Sequence, residues 1–273
     1  MRAGHQVSLL LRPASRLKRL QGEDGSFYIG RCSTDADIQS FVRKCQPQVV
    51  VHTACAYGRE GETRLQLFDA NFRFGVVVAE ALQSVVHEAT FINTGSVLGP
   101  DVNFYALSKH QFTQWGHNVA ATSKGRFRFI NVALQHMYGP GDHPSKFTTH
   151  VLRACKRNEP SLNLTSGKQE RDFIYIDDVV RAYDTLLTHQ YQFGPSDDVD
   201  VGSGVAPSIR EFVETAHRLT ESRTELNFGV LNHRANEPMR CRANTERLTQ
   251  LGWWPAFDLQ SGLQKTIEME DAD

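Results

Sequence analysis

The sequence predicts an α/β fold in which a mostly parallel sheet, covered by helices on both faces, is followed by a smaller lobe. Three observations predict it. Short runs rich in Val, Ile and Phe alternate with longer stretches of helical periodicity. The runs are apolar at nearly every position, as expected of strands buried on both faces. After Tyr138-Gly139-Pro140-Gly141-Asp142 the alternation gives way to a series of helical segments.

The elements follow in order. Val7 to Leu11 reads as a buried strand. A helical stretch from Asp35 to Cys45 leads to a second strand, Gln48 to His52. Asp69 to Ser84 reads as a helix, with apolar positions at Phe72, Val76, Ala79 and Leu82. Thr90 to Thr94 is the next strand, Phe104 to Ala121 the next helix, and Phe127 to Ala133 a further strand. Strands in strict alternation with helices imply βαβ units and a parallel sheet. In the second part, Pro144 to Pro160 carries a helix, and Phe173 to Leu187 a strand-like start and a helix. Ser208 to Leu219 is amphipathic, and Trp253 to Asp273 reads as a loop and a last helix.

The chain has 273 residues, a formal net charge of -1, 40% hydrophobic and 22% charged residues. That is the balance of a soluble globular protein, expected in the cytoplasm. Near-neutral charge without basic blocks gives no reason to expect nucleic acid or an acidic membrane as partner. No segment approaches the ~18 apolar residues of a membrane span, and the first residues lack the apolar core of a signal peptide. Cys32, Cys45, Cys55, Cys155 and Cys241 are odd in number and form no C-x-x-C, so reduced thiols are expected. The 11 histidines show no metal-binding pair set against a carboxylate, and no metal site is expected.

Chemistry points to Tyr105-Ala106-Leu107-Ser108-Lys109. A phenol and an ammonium at i and i+4 share one helix face. A nearby cation favours the phenolate, bringing a tyrosine of ordinary pKa near ~10 toward use as an acid or base. Y-x-x-x-K alone is frequent by chance on amphipathic helices. Here it follows a strand ending in Asn93-Thr94-Gly95-Ser96 and begins a helix at the carboxyl side of the strands, where α/β sheets bind ligands. Thr94 stands at that strand end and could hydrogen-bond the same substrate oxygen.

The order of motifs resembles the extended short-chain dehydrogenase/reductase family, the NAD(P)-dependent epimerases and dehydratases of nucleotide sugars. The motifs are Val50-Val51-His52-Thr53-Ala54, Asn71, Phe91-Ile92-Asn93-Thr94, Tyr105-x-x-x-Lys109 and Met137-Tyr138-Gly139-Pro140-Gly141. Arg171-Asp172-Phe173-Ile174-Tyr175-Ile176-Asp177-Asp178 and Leu251-Gly252-Trp253 complete the set, which spans nearly the whole chain. Within the family, Asn103 to Lys109 and His136 to Asp142 are most similar to the CDP-abequose and CDP-paratose synthases, which reduce a 4-keto-6-deoxy sugar.

The resemblance implies a Rossmann-like doubly wound parallel sheet with a smaller C-terminal substrate-binding lobe. Residues 1–135, with 170–205 returning to them, would form the cofactor domain, and 136–169 with 206–273 the lobe. It implies Tyr105 as acid/base, Lys109 lowering its pKa and binding the nicotinamide ribose, and Thr94 orienting the substrate oxygen. The family's 4,6-dehydratases carry Asp-Glu directly after the equivalent of Thr94, where this chain has Gly95 and Ser96. Ketone reduction is therefore expected, with epimerisation at the same site as the alternative. The resemblance places Ser96, His136, Arg171 and Arg234 at a nucleotide-diphosphate sugar, with Arg240 competing with Arg234. Arginine suits a diphosphate because its planar fork makes paired hydrogen bonds. The bland reading of Arg171 is a surface cation paired with Asp172.

The family's glycine-rich G-x-x-G-x-x-G turn, on which the cofactor pyrophosphate rests, has no counterpart in the sequence. The first βα unit, about 20–25 residues in such folds, is therefore expected to be missing through an N-terminal truncation. A catalytically silent sugar-nucleotide binding protein is the other reading. Arg12 follows the first strand, with Arg16 and Lys18 nearby and no acid, which favours NADP(H) over NAD. Cys32 stands near the place of the acid that meets adenine in relatives, with Asp35 the nearest acid. Thr53 and Ala54 would lie along the cofactor. Relatives often pair through two helices, here 69–84 and 104–121, so a homodimer is expected, with a charge at Phe112 as its probe.

Overall fold

The computed structural model describes residues 4–15, 17, 27–86, 88–233 and 237–271. The first part contains β1 (Val7–Leu11), β2 (Phe27–Arg31), α1 (Asp35–Cys45), β3 (Val49–His52), α2 (Arg64–Phe68), α3 (Phe74–Val85), β4 (Ala89–Thr94), α4 (Phe104–Thr122) and β5 (Phe127–Leu134). There follow β6 (His136–Tyr138), α5 (Phe147–Lys156), β7 (Ser161–Leu164), β8 (Glu170–Arg171), β9 (Phe173–Tyr175), α6 (Ile176–Thr188) and β10 (Ser196–Val201). The last are α7 (Ile209–Leu219), β11 (Glu225–Phe228), β12 (Arg240–Cys241), α8 (Glu246–Gln250) and α9 (Leu259–Asp271).

The sequence's alternation of strands and helices becomes a parallel sheet in the order β10-β5-β4-β3. Strand periodicity divides its side chains between two cores. Phe91, Phe127 and Phe129 pack with α1, α3 and α4 on one face. Ile92, Ile130 and Val132 pack with Val179, Ala182 and Leu186 of α6 on the other. β1 and β2 pair in parallel with each other and are not hydrogen-bonded to β3. Their β2 strand, like β7, β10, β11 and the short bridging strands, is not apparent in the sequence pattern.

Local signals set the helix starts. Thr34 and Asp37 form a reciprocal capping box that begins α1. Thr63 and Gln66 do the same for α2. Between α2 and α3 the backbone widens into a π-helical turn, Asp69–Arg73, where the sequence pattern predicts uninterrupted α-helix. At Gly116 a Cβ would lie 2.2 Å from the Phe129 ring, so only glycine lets α4 approach the sheet this closely.

Phe112 lies in this core against the rings of His52, Phe91 and Phe129. This corrects its assignment as a surface probe of dimerisation, because a charge there would break the fold. The exposed aromatics near this face are Phe68 of α2 and Phe104 and Trp115 of α4.

A separate core gathers Tyr138, Val151, Leu152, Leu162, Leu164, Phe212, Val213 and Leu263. Phe173 and Tyr175 belong to it, because β9 pairs with β6 rather than with the main sheet. Leu248 and Trp253, by contrast, pack with the main sheet's second face.

Candidate active site

α4 begins where Asn103 accepts a hydrogen bond from the Ala106 amide, 2.8 Å, capping the first turn. Tyr105 sits in that turn and Lys109 one turn later, on the same face. Burial pushes the Tyr105 phenol up to about 12, with the Cys55 thiol acting in the same direction. A Ser96 hydrogen bond and the Arg59 guanidinium oppose that rise. Lys109 is only 2% exposed. Burial, opposed by Cys55, pushes its ammonium down to about 8. Its charge also helps to lower His52, which is held down near 4, chiefly by burial.

Asn71 organises the floor. It lies fully buried in the π-helical turn and exchanges two hydrogen bonds with Ala56, of 2.7 and 2.9 Å. Its amide also donates to Ser108 Oγ at 3.0 Å. One side chain thus ties the loop after β3 to α4 beside Lys109. Beneath the strand ends a polar row crosses the sheet in register. His52 bonds Asn93 at 3.0 Å, Asn93 donates to Asn131 at 2.9 Å, and Asn131 donates to Asp198 at 2.7 Å.

Thr94 ends β4, and its hydroxyl meets the Tyr183 hydroxyl of α6 at 2.6 Å. At Gly95 a Cβ would come within 2.5 Å of Asn131 Oδ1. A carboxylate-bearing residue at 95 would have to displace the polar row. The loop beyond is held by the Leu98 amide donating to Ser96 Oγ, 3.2 Å, and by His110 Nε2 against the Leu98 carbonyl, 2.8 Å.

Sequence reasoning missed three groups over Tyr105. The Tyr57 ring lies 4.9 Å from the Tyr105 ring, Arg59 stands over Tyr57 at 5.4 Å, and the Cys55 thiol hydrogen-bonds Tyr57 and acts electrostatically on Tyr105 and Lys109. All three sit on the loop after β3, where no periodicity or spacing marks a functional side chain.

At the other end, Arg171 is buried and donates to Glu237 at 2.8 Å and to the Glu170 carbonyl at 2.8 Å. Asp172 is not its partner. That carboxylate accepts from Ser203, Gly204 and Ala243 instead. His136 lies nearby, held near 4 by burial and by the Arg171 charge, and its buried Nδ1 has no partner among the described residues. Arg240 pairs with Glu170 at 2.9 Å, on the surface. Arg234, Arg16 and Lys18 lie outside the described residues.

Arg12 follows β1 exposed, its carbonyl and those of Pro13 and Ser15 receiving the Arg31 guanidinium at 3.4, 2.7 and 2.8 Å. Asp35 is bound to Arg73. Thr53 and Ala54 are exposed at the carboxyl end of β3.

Residues 1–202 match the NAD dependent epimerase/dehydratase family. The chain is 31% identical over 245 residues to CDP-abequose synthase of Salmonella muenchen, covering 86% of this chain and 82% of that protein. It is 27% identical over 213 residues to dTDP-D-glucose 4,6-dehydratase of Mus musculus, 71% of this chain and 58% of that one. Among solved structures, UDP-glucose 4-epimerase of Thermotoga maritima, with UDP-glucose, superimposes with a TM-score of 0.84 at 18% identity, covering 99% of this chain and 92% of that one. RMD from Pseudomonas aeruginosa, complexed with NADPH, gives 0.79 at 20% identity, covering 98% and 100%.

Proposed function

Because the chain belongs to the NAD dependent epimerase/dehydratase family, we propose that it reduces the ketone of a nucleotide-linked 4-keto-6-deoxy sugar with NADPH. The observation that carries this reading is the pairing of Tyr105, hydrogen-bonded by Ser96, with the buried ammonium of Lys109 one turn away. The similarity to CDP-abequose synthase supports the sugar class. The crowding at Gly95 supports reduction over dehydration, because no carboxylate can occupy that position without moving Asn131.

The nicotinamide end of a dinucleotide fits the residues present. The Lys109 ammonium makes no hydrogen bond to a described residue, and Thr53 and Ala54 leave the end of β3 open. Lys109, Thr53, Ala54 and Arg12 would hold the cofactor, which supplies a hydride to the sugar carbon. Arg12 is followed in sequence by Arg16 and Lys18 with no acid before Glu23, which favours NADP over NAD.

The chain's own residues handle the proton. Tyr105 holds its proton at neutral pH, since burial keeps the phenol near 12, and gives it to the ketone oxygen as that oxygen becomes a hydroxyl. Lys109 stabilises the resulting phenolate. Thr94 hydrogen-bonds the same oxygen and Ser96 lines its other side. His136, Arg171 and Arg234 take the diphosphate, with Arg171 exchanging Glu237 for phosphate oxygens.

The pH dependence follows. Tyr105 stays protonated throughout the neutral range, whereas Lys109 loses its charge as pH rises through about 8. The kcat/KM of reduction is expected to be level below that pH and to decline above it. A profile rising through pH 8 contradicts the assignment.

Net loss of NADPH on adding a nucleotide-linked 4-keto-6-deoxy sugar tests the reaction itself. Interconversion of sugar epimers without net NADPH loss identifies an epimerase instead. Binding of the nucleotide without either identifies a silent binder.

The same proposal includes a homodimer paired through residues 69–84 and 104–121. A groove of about 320 Å³ between the end of α2, the π-helical turn and α4 is lined by Phe68, Phe72, Gln111, Gln114, Trp115 and Asn118. Trp115→Glu is expected to convert a dimer to a folded monomer by sedimentation. An unchanged mass contradicts that placement.

A further inference from the structure

We propose that Tyr183 is a positioning residue that fixes the direction of the Thr94 hydroxyl, so that Thr94 presents its proton, not a lone pair, to the substrate oxygen. The inference rests on the reading above, in which Thr94 meets that oxygen.

Tyr183 lies on α6, and its ring packs on the core formed by Ile92, Ile130 and Val132. The packing carries its hydroxyl to 2.6 Å from Thr94 Oγ1, across 89 residues of sequence. Among the described residues neither hydroxyl makes another hydrogen bond. Each carries one proton, so two arrangements are possible. Either Tyr183 donates and the Thr94 proton is free to point elsewhere, or Thr94 donates and the Tyr183 proton is left without an acceptor.

Two arguments select the first. A phenol is the stronger acid and the better donor, and an aliphatic hydroxyl oxygen is the better acceptor. A phenol proton without a partner in this nearly closed place would also be costly. Burial, only partly opposed by the Thr94 hydrogen bond, pushes Tyr183 up to about 12, so it remains a donor across the neutral range. Thr94 then offers its own proton outward. Two protons, from Thr94 and Tyr105, converge on the oxygen whose negative charge grows as the ketone is reduced.

The test uses Tyr183→Phe, which keeps the ring, Thr94→Val, which keeps the shape, and the double variant. The probe is CDP-4-keto-6-deoxyglucose, with NADPH for kinetics and alone for calorimetry. Tyr183→Phe is expected to lower kcat roughly tenfold with little change in KM, as for one misdirected hydrogen bond to the transition state. In the Thr94→Val background the same change is expected to add no further loss, either in kcat or in calorimetric affinity. Full activity in Tyr183→Phe, or losses that add in the double variant, overturns the proposal. Unchanged kcat and affinity in Thr94→Val overturn it as well, through Thr94. The wider reading of the site stands or falls separately on Tyr105→Phe.

Discussion

Tyr105→Phe is expected to lower kcat by about 10²–10⁴-fold, the contribution of a positioned proton donor. The nucleotide sugar should bind to the variant within roughly a factor of three of wild type, because the lost hydroxyl acts on the transition state rather than on the diphosphate. The ring keeps its contact with Tyr57, 4.9 Å between centroids, so packing gives no separate reason for a loss of folding. Steady-state kinetics beside calorimetric titration separate the two effects. A variant that turns over like wild type removes Tyr105 from the chemistry. A variant that has lost nucleotide binding assigns the residue to the substrate's ground state.

The second large effect runs in opposite directions for activity and stability. Lys109→Met is expected to abolish turnover and yet to stabilise the protein without cofactor. Lys109 is buried, its ammonium makes no hydrogen bond to a described residue, and it is held near 8 against an ordinary value of 10.5. A base whose folded pKa is lowered destabilises the fold fully below the folded value, and the penalty fades as pH rises toward the unfolded value. The window is therefore pH 8 to 10.5. Below it the penalty is roughly 3 kcal/mol, from the pKa difference converted to free energy. Methionine keeps the methylene packing without the charge. Denaturant unfolding at pH 7 should show the variant more stable than wild type, with the gap closing above pH 8. A less stable variant at pH 7 would mean that Lys109 has a partner in the fold and is not held in reserve for a ligand.

The legible parts of the molecule were those fixed by local signals. α1 begins at Asp35 because Thr34 and Asp37 cap it, and β4 and β5 are apolar on both faces because both are covered. β10 was hidden by its composition, Ser196-Asp197-Asp198-Val199-Asp200-Val201. Its carboxylates find partners only in three dimensions, in the Gly194 amide, Asn131 and the Asn244 amide. The π-helical turn was hidden because Asn71 holds it open through Ala56 and Ser108, a bond set that no helical period encodes.

The candidate site divides in the same way. Tyr105 and Lys109 could be read from an i, i+4 spacing and its flanking motifs. Their electrostatics could not. The spacing suggests that Lys109 lowers the Tyr105 pKa, whereas the opposing influences in the fold come from Ser96 and Arg59, and Lys109 is itself depressed by burial. Tyr57, Tyr183 and Glu237 reach the site from a loop, the core-facing side of α6 and a distant segment, and each takes its role from the chain's return.

The most direct test of the central claim follows the label. The protein is incubated with NADPH deuterated at C4 of the nicotinamide and with CDP-4-keto-6-deoxyglucose, and the product sugar is examined by nuclear magnetic resonance. Reduction at this site predicts one deuterium at sugar C4, formed by wild type and not by Tyr105→Phe. A sugar that returns without deuterium at C4, or that gains it equally in the variant, contradicts the account.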